Sequence, residues 1–319
     1  MTDDTRSGLR LRFKSLRKRL LSKAPFIRRS RHHRLLASVK KDLERERAAN
    51  ESMGFLFFSP PTLATSARFV MRVPVRDRVA DELCLFVTHA SRTNLKPHVI
   101  DHIEALLDAG VAVMLIANTD LEPASLEIPP LLQERLHGLM IRQNIGFDFA
   151  AWAHAYAQID SRSVSQRLFL INDSLVGPLD RVVYDELLQK IRGAQADFIG
   201  LTCNPDSHEH LQSFYLVFNS RLLHAAVFDR FMRSVVNLPA KQNVVDCYEI
   251  WLTPFLVQQG FVGVAMFPNI ATNQRPFRND TLYNWRELID AGFPFIKGQV
   301  LRDPSMADRA RELLPSRYR

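Results

Sequence analysis

Apolar runs of strand length alternate with amphipathic segments of helical length from residue 82 to residue 202. Five continuous apolar runs predict buried parallel strands: ELCLFVTHA, VAVMLIANTD, LHGLMIRQN, RLFLIND and ADFIGLT. Three segments between them predict helices: PHVIDHIEALLDAG, GFDFAAWAHAYAQI and LDRVVYDELLQKIRGA. This alternation predicts an α/β fold, with an open, mostly parallel sheet flanked by helices and joined by right-handed crossovers.

The pattern changes in the second half of the chain. Residues 210–223, HLQSFYLVFNSRLL, alternate in polarity and predict an edge or antiparallel strand. The segments AVFDRFMRSVV and CYEIWLTPFLVQQ predict helices, and FVGVAMFP predicts a strand. Ahead of the sheet, the apolar patch MGFLFFSPPTLAT ends in two prolines and predicts a small strand or part of a membrane-facing surface.

A basic arm precedes the predicted sheet. Residues 1–50 hold 16 Lys or Arg against 5 Asp or Glu, so the rest of this chain of net charge +8 is mildly acidic. Leu9, Phe13, Leu16 and Leu20 recur at helical spacing among these cations, which predicts a basic amphipathic helix. Such a helix suits an anionic membrane surface; a solvated tail is the plain alternative, and nucleic acid is the least supported partner. We therefore divide the chain into an arm and linker, residues 1–53, and one domain, residues 54–319.

The composition is that of an ordinary globular protein. Of the 319 residues, 46% are apolar and 24% are charged. No apolar run reaches about 18 residues, and the N-terminus lacks the apolar core of a signal peptide. The three cysteines fit no zinc or redox spacing and predict core thiols in a reducing compartment. These features predict a cytoplasmic protein.

Four predicted strand ends carry small polar clusters. These are Thr88-His89-Ala90, Asn118-Thr119-Asp120, Arg142 to Asp148, and Asn172-Asp173-Ser174. In an open α/β sheet all four would lie on one rim, where ligands bind beyond the carboxyl ends of the strands. The sequence lacks a G-x-G-x-x-G after the first strand, a P-loop motif and a G-x-S-x-G elbow, which argues against dinucleotide-dependent oxidoreductases, P-loop NTPases and the usual α/β hydrolases.

The rim residues predict a site for a nucleotide diphosphate. Asp173 is placed to meet Mg²⁺ or Mn²⁺, which is usually held by hard oxygen ligands together with substrate phosphates. Asp148 would begin a helix, where a carboxylate also stabilises the helix dipole. Arg142 could pair with a phosphate or with Asp148. The alternative is that these polar residues only cap helices and turns.

Six segments follow one another along the chain: IRQNIGFDFAAW, LFLINDSLVGPL, DFIGLT, HLQSFYLVF, YEIWLT and WRELIDAGFPFIKGQVLR. In this order they resemble the rhamnan synthesis protein F family, a glycosyltransferase-like family associated with bacterial polysaccharide and lipopolysaccharide O-chain assembly. The resemblance runs from about Leu83 to about Pro304. It implies a GT-A-like fold and transfer of a sugar, often rhamnose, from a nucleotide diphosphate donor to a growing glycan.

The resemblance also assigns the donor side of the site. Arg142, Asn144, Gly146 and Asp148 match the family's Arg-x-Asn-x-Gly-x-Asp and would lie against the donor. Asn172-Asp173-Ser174 stands where such folds usually carry a metal-binding Asp-X-Asp. Asp173 is its one carboxylate and would hold a divalent cation less firmly than two.

An inverting transfer also needs a base that takes the proton of the acceptor hydroxyl. Glu249 is the candidate, because it would open a helix where the acceptor side should begin; Asp246 is the substitute. A plain first-turn carboxylate is the structural alternative for Glu249. His210 and Gln212 are candidates for contact with sugar hydroxyls, and Lys297 for contact with phosphate.

These observations predict a glycosyltransferase that is cytoplasmic and peripheral to the inner face of the plasma membrane. Its donor would be a nucleotide diphosphate sugar, with rhamnose or another deoxyhexose as the expected sugar, and its acceptor a lipid-linked saccharide or polysaccharide. A non-catalytic glycan-binding or assembly subunit that keeps the fold is the alternative, and the lone Asp173 is its main support.

Overall fold

The structure is a computed structural model that describes residues 67–159, 163–204, 209–268 and 279–318. The basic arm predicted over residues 1–53 and the apolar patch MGFLFFSPPTLAT lie outside the described residues. The domain boundary between residues 53 and 54 therefore stays a prediction.

The described residues form eleven strands and eleven α-helices. The strands are β1 Phe69–Val73, β2 Ala80–His89, β3 Ala112–Thr119, β4 Gly138–Gln143, β5 Val164–Asn172, β6 Leu175–Val176, β7 Phe198–Asn204, β8 His210–Leu211, β9 Tyr215–Asn219, β10 Gly263–Phe267 and β11 Ile296–Lys297. The helices are α1 Pro97–Asp108, α2 Pro130–Arg135, α3 Phe147–Tyr156, α4 Arg181–Gly193, α5 Ser220–Leu223, α6 Ala226–Ser234, α7 Lys241–Val244, α8 Ile250–Gln258, α9 Asp280–Tyr283, α10 Trp285–Asp290 and α11 Ala307–Glu312. A π-helical turn, Val245–Glu249, joins α7 to α8. None of the helices in these residues combines the length and apolarity that crossing a bilayer requires.

Nine strands form the central sheet, in the order β1-β4-β3-β2-β5-β9-β7-β10, with β8 beside β7. Strands β2, β3, β4 and β5 are parallel to one another, and β10 is parallel to β7. Strands β1 and β9 run antiparallel to their neighbours. The predicted mostly parallel α/β sheet is confirmed for the described residues.

Both faces of the sheet are buried under helices. Leu83, Leu85 and Val87 of β2 belong to one apolar cluster, which includes Phe149 and Trp152 of α3. The residues between them in β2 belong to a second cluster on the opposite face, together with apolar residues of α1 and α4. This two-sided burial explains why β2 reads as a continuous apolar run rather than as an alternating one.

The segment HLQSFYLVFNSRLL is partly different from its prediction. It divides into β8, β9 and α5, and the antiparallel direction of β9 is confirmed. However, β9 is not an edge strand, because it pairs with β5 on one side and β7 on the other. Strand β1 was not predicted, since it is short and partly exposed at the edge of the sheet beside β4.

The order of connections creates a crevice beside β2. From β2 the chain proceeds to β3 and then β4 on one side, and β5 returns to the other side of β2. Ligands of open α/β sheets bind at such a switch point, beyond the carboxyl ends of the two strands. Strand β2 ends at His89 and β5 ends at Asn172, so the predicted rim includes this crevice.

At the opposite end of β2, a buried carboxylate joins three parts of the fold. Glu82 is 6% exposed. Its Oε2 accepts a hydrogen bond from Arg192 Nη2 of α4 at 2.6 Å, and its Oε1 accepts one from Arg167 Nη1 of β5 at 2.9 Å. The carboxylate therefore fixes the sheet to α4 at the end remote from the rim.

Replacement of Glu82 by Gln should lower the free energy of unfolding by about 3 kcal/mol, because two partly buried guanidinium groups lose their buried counter-charge. Urea denaturation measures this change, and Glu186→Gln on the exposed face of α4 is the matched control. An equal, small effect of both substitutions would show that the buried ion network does not stabilise the fold.

Candidate functional site

Hydrogen bonds join the polar ends of four parallel strands. Thr88 Oγ1, at the end of β2, donates to Asp173 Oδ2 after β5 at 2.6 Å. Asn144 Nδ2, after β4, donates to Asp120 Oδ2 after β3 at 3.2 Å and lies 3.3 Å from His89 Nε2. The prediction that these strand ends share one rim is confirmed.

Three donors converge on one oxygen of Asp173. Its Oδ2 accepts from Thr88 Oγ1 at 2.6 Å, from the His89 backbone N–H at 3.1 Å and from Lys96 Nζ at 2.6 Å. Lys96 lies just before α1, in the loop that follows β2. We name Thr88, His89, Lys96 and Asp173 the Asp173 cluster.

The donor set around Asp173 does not fit a divalent cation. An ammonium already lies at ion-pair distance from the carboxylate, and a metal ion on the same oxygen would meet its repulsion. Within the described ranges, no group of three or more His, Cys, Asp or Glu side chains is arranged to hold a metal. The arrangement is that of a carboxylate that holds a cationic side chain.

Arg142 is a buried cation, 1% exposed, at the end of β4. Its guanidinium donates to Asn237 Oδ1 at 2.7 Å and to the Ile145 carbonyl at 2.6 Å. Burial lowers the pKa of Arg142 to about 10, so the group stays protonated at neutral pH. The predicted alternative of a pair with Asp148 is wrong, because the described salt bridges include none between these two residues and the Arg142 donors point to neutral acceptors. A contact between Arg142 and a donor phosphate stays a prediction.

Gly146 makes the turn between β4 and α3 possible. Its φ is +72°, in the left-handed region, and a Cβ there would lie 2.8 Å from Asn237 Cα and 2.7 Å from Ala150 Cβ. Both distances are too short for a side chain. The absence of a side chain at residue 146 therefore lets Asn237 approach and accept from Arg142.

Asp148 lies in the first turn of α3, as predicted, and is half-buried. Asn172 Nδ2 donates to its Oδ2 at 2.7 Å, and the Phe149 N–H donates to its Oδ1 at 3.0 Å. Burial raises the pKa of Asp148, and the nearby negative charge of Glu249 raises it further. Two residues from the sequence-predicted set, Asp148 and Glu249, therefore interact electrostatically in the folded chain.

Glu249 is the centre of a second group of polar side chains. Ser213 Oγ donates to Glu249 Oε2, and His210 Nε2 lies 3.7 Å from Glu249 Oε1. Burial raises the pKa of Glu249, but nearby His210, the hydrogen bond from Ser213 and the positive charge of Lys297 outweigh it, so the pKa is lowered overall. We name His210, Ser213, Glu249 and Lys297 the Glu249 cluster.

Lys297 is the member of this cluster that comes from the C-terminal part of the chain. Its Nζ lies 5.4 Å from the centre of the Phe214 ring. Burial lowers the pKa of Lys297, while the charge of Glu249 opposes that shift. The structure therefore brings together His210, Glu249 and Lys297, three residues that the sequence predicted from separate motifs.

The position of Glu249 within its helix differs from the prediction. Glu249 is the last residue of the π-helical turn, with α7 before it and α8 directly after it, so it does not open a helix. The explanation of Glu249 as a plain first-turn carboxylate is therefore wrong. A π-helical turn shifts side chains relative to a regular helix and is frequent at functional sites.

Two predicted residues have mainly structural contacts. Gln212 is 3% exposed, and its Oε1 accepts from Thr202 Oγ1 at 2.8 Å. Asp246 Oδ1 accepts from Gln242 Nε2 at 2.8 Å, one turn earlier in the same helical run. A contact between Gln212 and a sugar, and the use of Asp246 as a substitute base, stay predictions that these contacts do not favour.

The carboxyl end of β5, with the two residues after it, connects the two clusters. The Asn172 N–H donates to the Phe214 carbonyl at 3.1 Å, beside Ser213. The Ser174 carbonyl accepts from the Gly298 N–H at 2.8 Å, beside Lys297. The Asn172-Asp173-Ser174 segment therefore contacts both sides of the candidate site.

Sequence reasoning missed Lys96 and Ser213. Lys96 stands directly before Pro97, at the start of the helix that follows the first parallel strand. The sequence alone could have indicated Lys96, because the residues between a parallel strand and the helix after it lie at the rim. Ser213 lies inside the quoted segment HLQSFYLVF, but its partner Glu249 is 36 residues away, so no local pattern pairs them.

Substitution of Gly146 by Ala should lower the free energy of unfolding by about 2–4 kcal/mol, since left-handed backbone strain adds to overlap with Asn237. Gly110→Ala is the matched control: Gly110 has φ +84°, but nothing lies within 4 Å of an added Cβ. We expect about 1 kcal/mol for the control, measured by urea denaturation. Equal losses would show that the approach of Asn237 is not constrained.

Residues 113–316 match the family described as rhamnan synthesis protein F, a range that is more than half of the 319-residue chain. The chain is 27% identical to the uncharacterized protein y4gN of Sinorhizobium fredii (strain NBRC 101917 / NGR234) over 194 residues, which cover 59% of this chain and 49% of that protein. It is 23% identical to virulence protein VirA of Vibrio anguillarum (strain ATCC 68554 / 775) over 212 residues, which cover 55% of this chain and 67% of that protein. The chain thus spans about half the length of the Sinorhizobium relative. Because the family match extends over most of the described sheet and includes Arg142, Asp173 and Glu249, the chain belongs to the rhamnan synthesis protein F family.

Proposed function

We propose that this protein is a glycosyltransferase with a GT-A-like fold. It moves a sugar, rhamnose or another deoxyhexose, from a nucleotide diphosphate donor to a lipid-linked or polysaccharide acceptor in cell-surface glycan synthesis. The observation that carries the proposal is the hydrogen-bonded rim at the switch point between β2 and β5, in a chain of the rhamnan synthesis protein F family.

The two clusters support separate donor and acceptor sides. The Asp173 cluster lies at the crevice where a diphosphate would bind, with Asn144 next to its His89 side chain. The Glu249 cluster holds hydrogen-bonding groups that suit sugar hydroxyls and a carboxylate that suits proton transfer. Asn172 lies between them, because it bonds to Asp148 and to the carbonyl of Phe214.

The reaction is a displacement at the anomeric carbon of the donor sugar. The bond between that carbon and the diphosphate oxygen breaks, and its electron pair stays on the diphosphate. The acceptor hydroxyl oxygen forms the new bond, and its proton passes to Glu249, the proposed base. Because its neighbours offset the effect of burial on its pKa, Glu249 is ionised at neutral pH and can accept that proton.

A transfer assay tests this proposal. Purified protein is incubated with sugars linked to UDP, GDP or dTDP, rhamnose included, and with a lipid-linked saccharide. Glu249→Gln should lower kcat by about 100- to 10,000-fold while donor binding is kept, because only the proton transfer is lost. Glu134→Gln, at an exposed residue of α2, is the control.

Failure of the folded wild type to bind any nucleotide sugar, together with binding of a saccharide, would overturn the proposal. It would favour a glycan-binding or assembly subunit instead. An unchanged kcat for Glu249→Gln would leave the activity in place but remove Glu249 as the base. Asp246→Asn is then the next variant, since Asp246 was the substitute in the same helical run.

The basic arm supports a proposal about location. We propose that residues 1–50 bind the anionic inner face of the plasma membrane and so raise the effective concentration of a lipid-linked acceptor near the site. Deletion of residues 1–50 should then abolish sedimentation with vesicles that contain anionic lipid, measured at physiological salt. Neutral vesicles are the control, and unchanged sedimentation after the deletion would contradict the proposal.

A further inference from the structure

The side chain of Lys96 faces the crevice from the loop between β2 and α1. Its Nζ lies 2.6 Å from Asp173 Oδ2, and the two side chains are 41% and 16% exposed, respectively. The carboxylate is therefore largely covered, while the ammonium remains accessible from outside. Lys96 also lies before residues 113–316, the range that matches the family.

A cavity of about 290 Å³ lies beside this ion pair. The described residues that line it belong to the stretch between Thr88 and Lys96 and include His89 and Arg92, but no Asp or Glu. The amino end of α1, a helix of 12 residues, begins at the same loop and adds partial positive charge. Arg92 and Lys96 are two cations against the one carboxylate of Asp173, so this side of the crevice suits an anion of the size of a diphosphate.

We propose that the Lys96 ammonium, held in place by Asp173, binds the diphosphate of the donor and supplies the positive charge that a divalent cation would otherwise supply. This inference rests on the proposed function and names the group that recognises the leaving diphosphate. When the bond to the anomeric carbon breaks, negative charge develops on the diphosphate oxygen, and the ammonium stabilises it.

Asp173 is then a positioning residue that acts through Lys96. A lysine side chain is flexible, and the ion pair restricts its ammonium to the switch point. Thr88 Oγ1 and the His89 N–H fix the carboxylate in turn, since both donate to the same oxygen as Lys96. A metal ion bound by Asp173 would have to displace Lys96 from this oxygen.

Binding of UDP, GDP and dTDP, measured by calorimetry in EDTA and again in Mn²⁺, tests the inference on the full chain. We expect the wild type to bind one of them equally well in both buffers. Lys96→Ala should weaken that binding by about 10- to 100-fold, since a charged hydrogen bond is lost. Lys96→Arg should retain part of it, and Lys190→Ala, at an exposed residue of α4, should change nothing. A thermal melt of each variant checks that it is folded.

Asp173→Asn separates this role from that of a metal ligand. Because Asp173 acts through Lys96, its loss should weaken binding less than Lys96→Ala does. A metal site gives the reverse order: Asp173→Asn abolishes binding, Lys96→Ala leaves it intact, and EDTA removes it from the wild type. Any of these three results overturns the inference while the proposed donor class survives.

Inorganic diphosphate distinguishes the inference from the proposed function. If it binds the wild type in EDTA but not Lys96→Ala, while no nucleotide or nucleotide sugar binds, the anion site stands and the proposed donor class fails. If no anion binds in either buffer, both the inference and the proposed function fail.

Discussion

The candidate site depends on Asn172, Asp173 and Ser174 at the carboxyl end of β5, because each of them is bonded to a different part of the chain. Asn172 donates to Asp148 of α3, Asp173 accepts from Thr88 and Lys96, and the Ser174 carbonyl accepts from Gly298. Strand β5 lies beside β2 at the switch point, so its carboxyl end is the place where these parts can meet. Displacement of this segment would separate the Asp173 cluster from the Glu249 cluster.

The direction of β9 brings the second cluster to the same edge. Strand β9 is antiparallel to β5, and its first residue, Tyr215, pairs with Ile171 near the carboxyl end of β5. The turn before β9 therefore lies at the rim and carries Ser213 to Glu249. With a parallel β9, that turn would lie at the other end of the sheet, near Glu82, and the rim would lack it.

The pKa values of two interacting carboxylates at the site, Asp148 and Glu249, are shifted in opposite directions. Burial acts on both Asp148 and Glu249 in the same direction and raises the pKa of each. Only Glu249 receives enough donors and positive charge to reverse that shift, from His210, Ser213 and Lys297. Neighbouring carboxylates whose pKa values are moved apart in this way are typical of sites with distinct roles for the two groups. In the proposed reaction, Glu249 is the ionised partner on the acceptor side, and Asp148 lies on the donor side with Asn172.

Buried charged side chains have different partners at the two ends of the parallel strands. Glu82 is fully compensated by two guanidinium groups, as a structural carboxylate requires. Arg142 has only neutral acceptors, and burial lowers its pKa. The positive charge of Arg142 therefore has no carboxylate bonded to it directly, although it is buried beside Gly146 and Asn237. In the proposed function, this positive charge lies on the donor side of the site.

The sequence alone determined the parallel half of the sheet, its helices and the motifs at the strand ends. These features follow from local periodicity: a strand buried on both faces is continuously apolar, and a helix repeats every 3.6 residues. Strand β1 was not predicted from the sequence because it is short and partly exposed. The tertiary structure alone decided that β9 lies inside the sheet, that Glu249 lies within a helical run, and that Lys96 holds Asp173 across 77 residues of sequence. The physical reason is that a pair between distant side chains depends on which strands become neighbours, and strand order is fixed by packing of the whole sheet rather than by any local pattern.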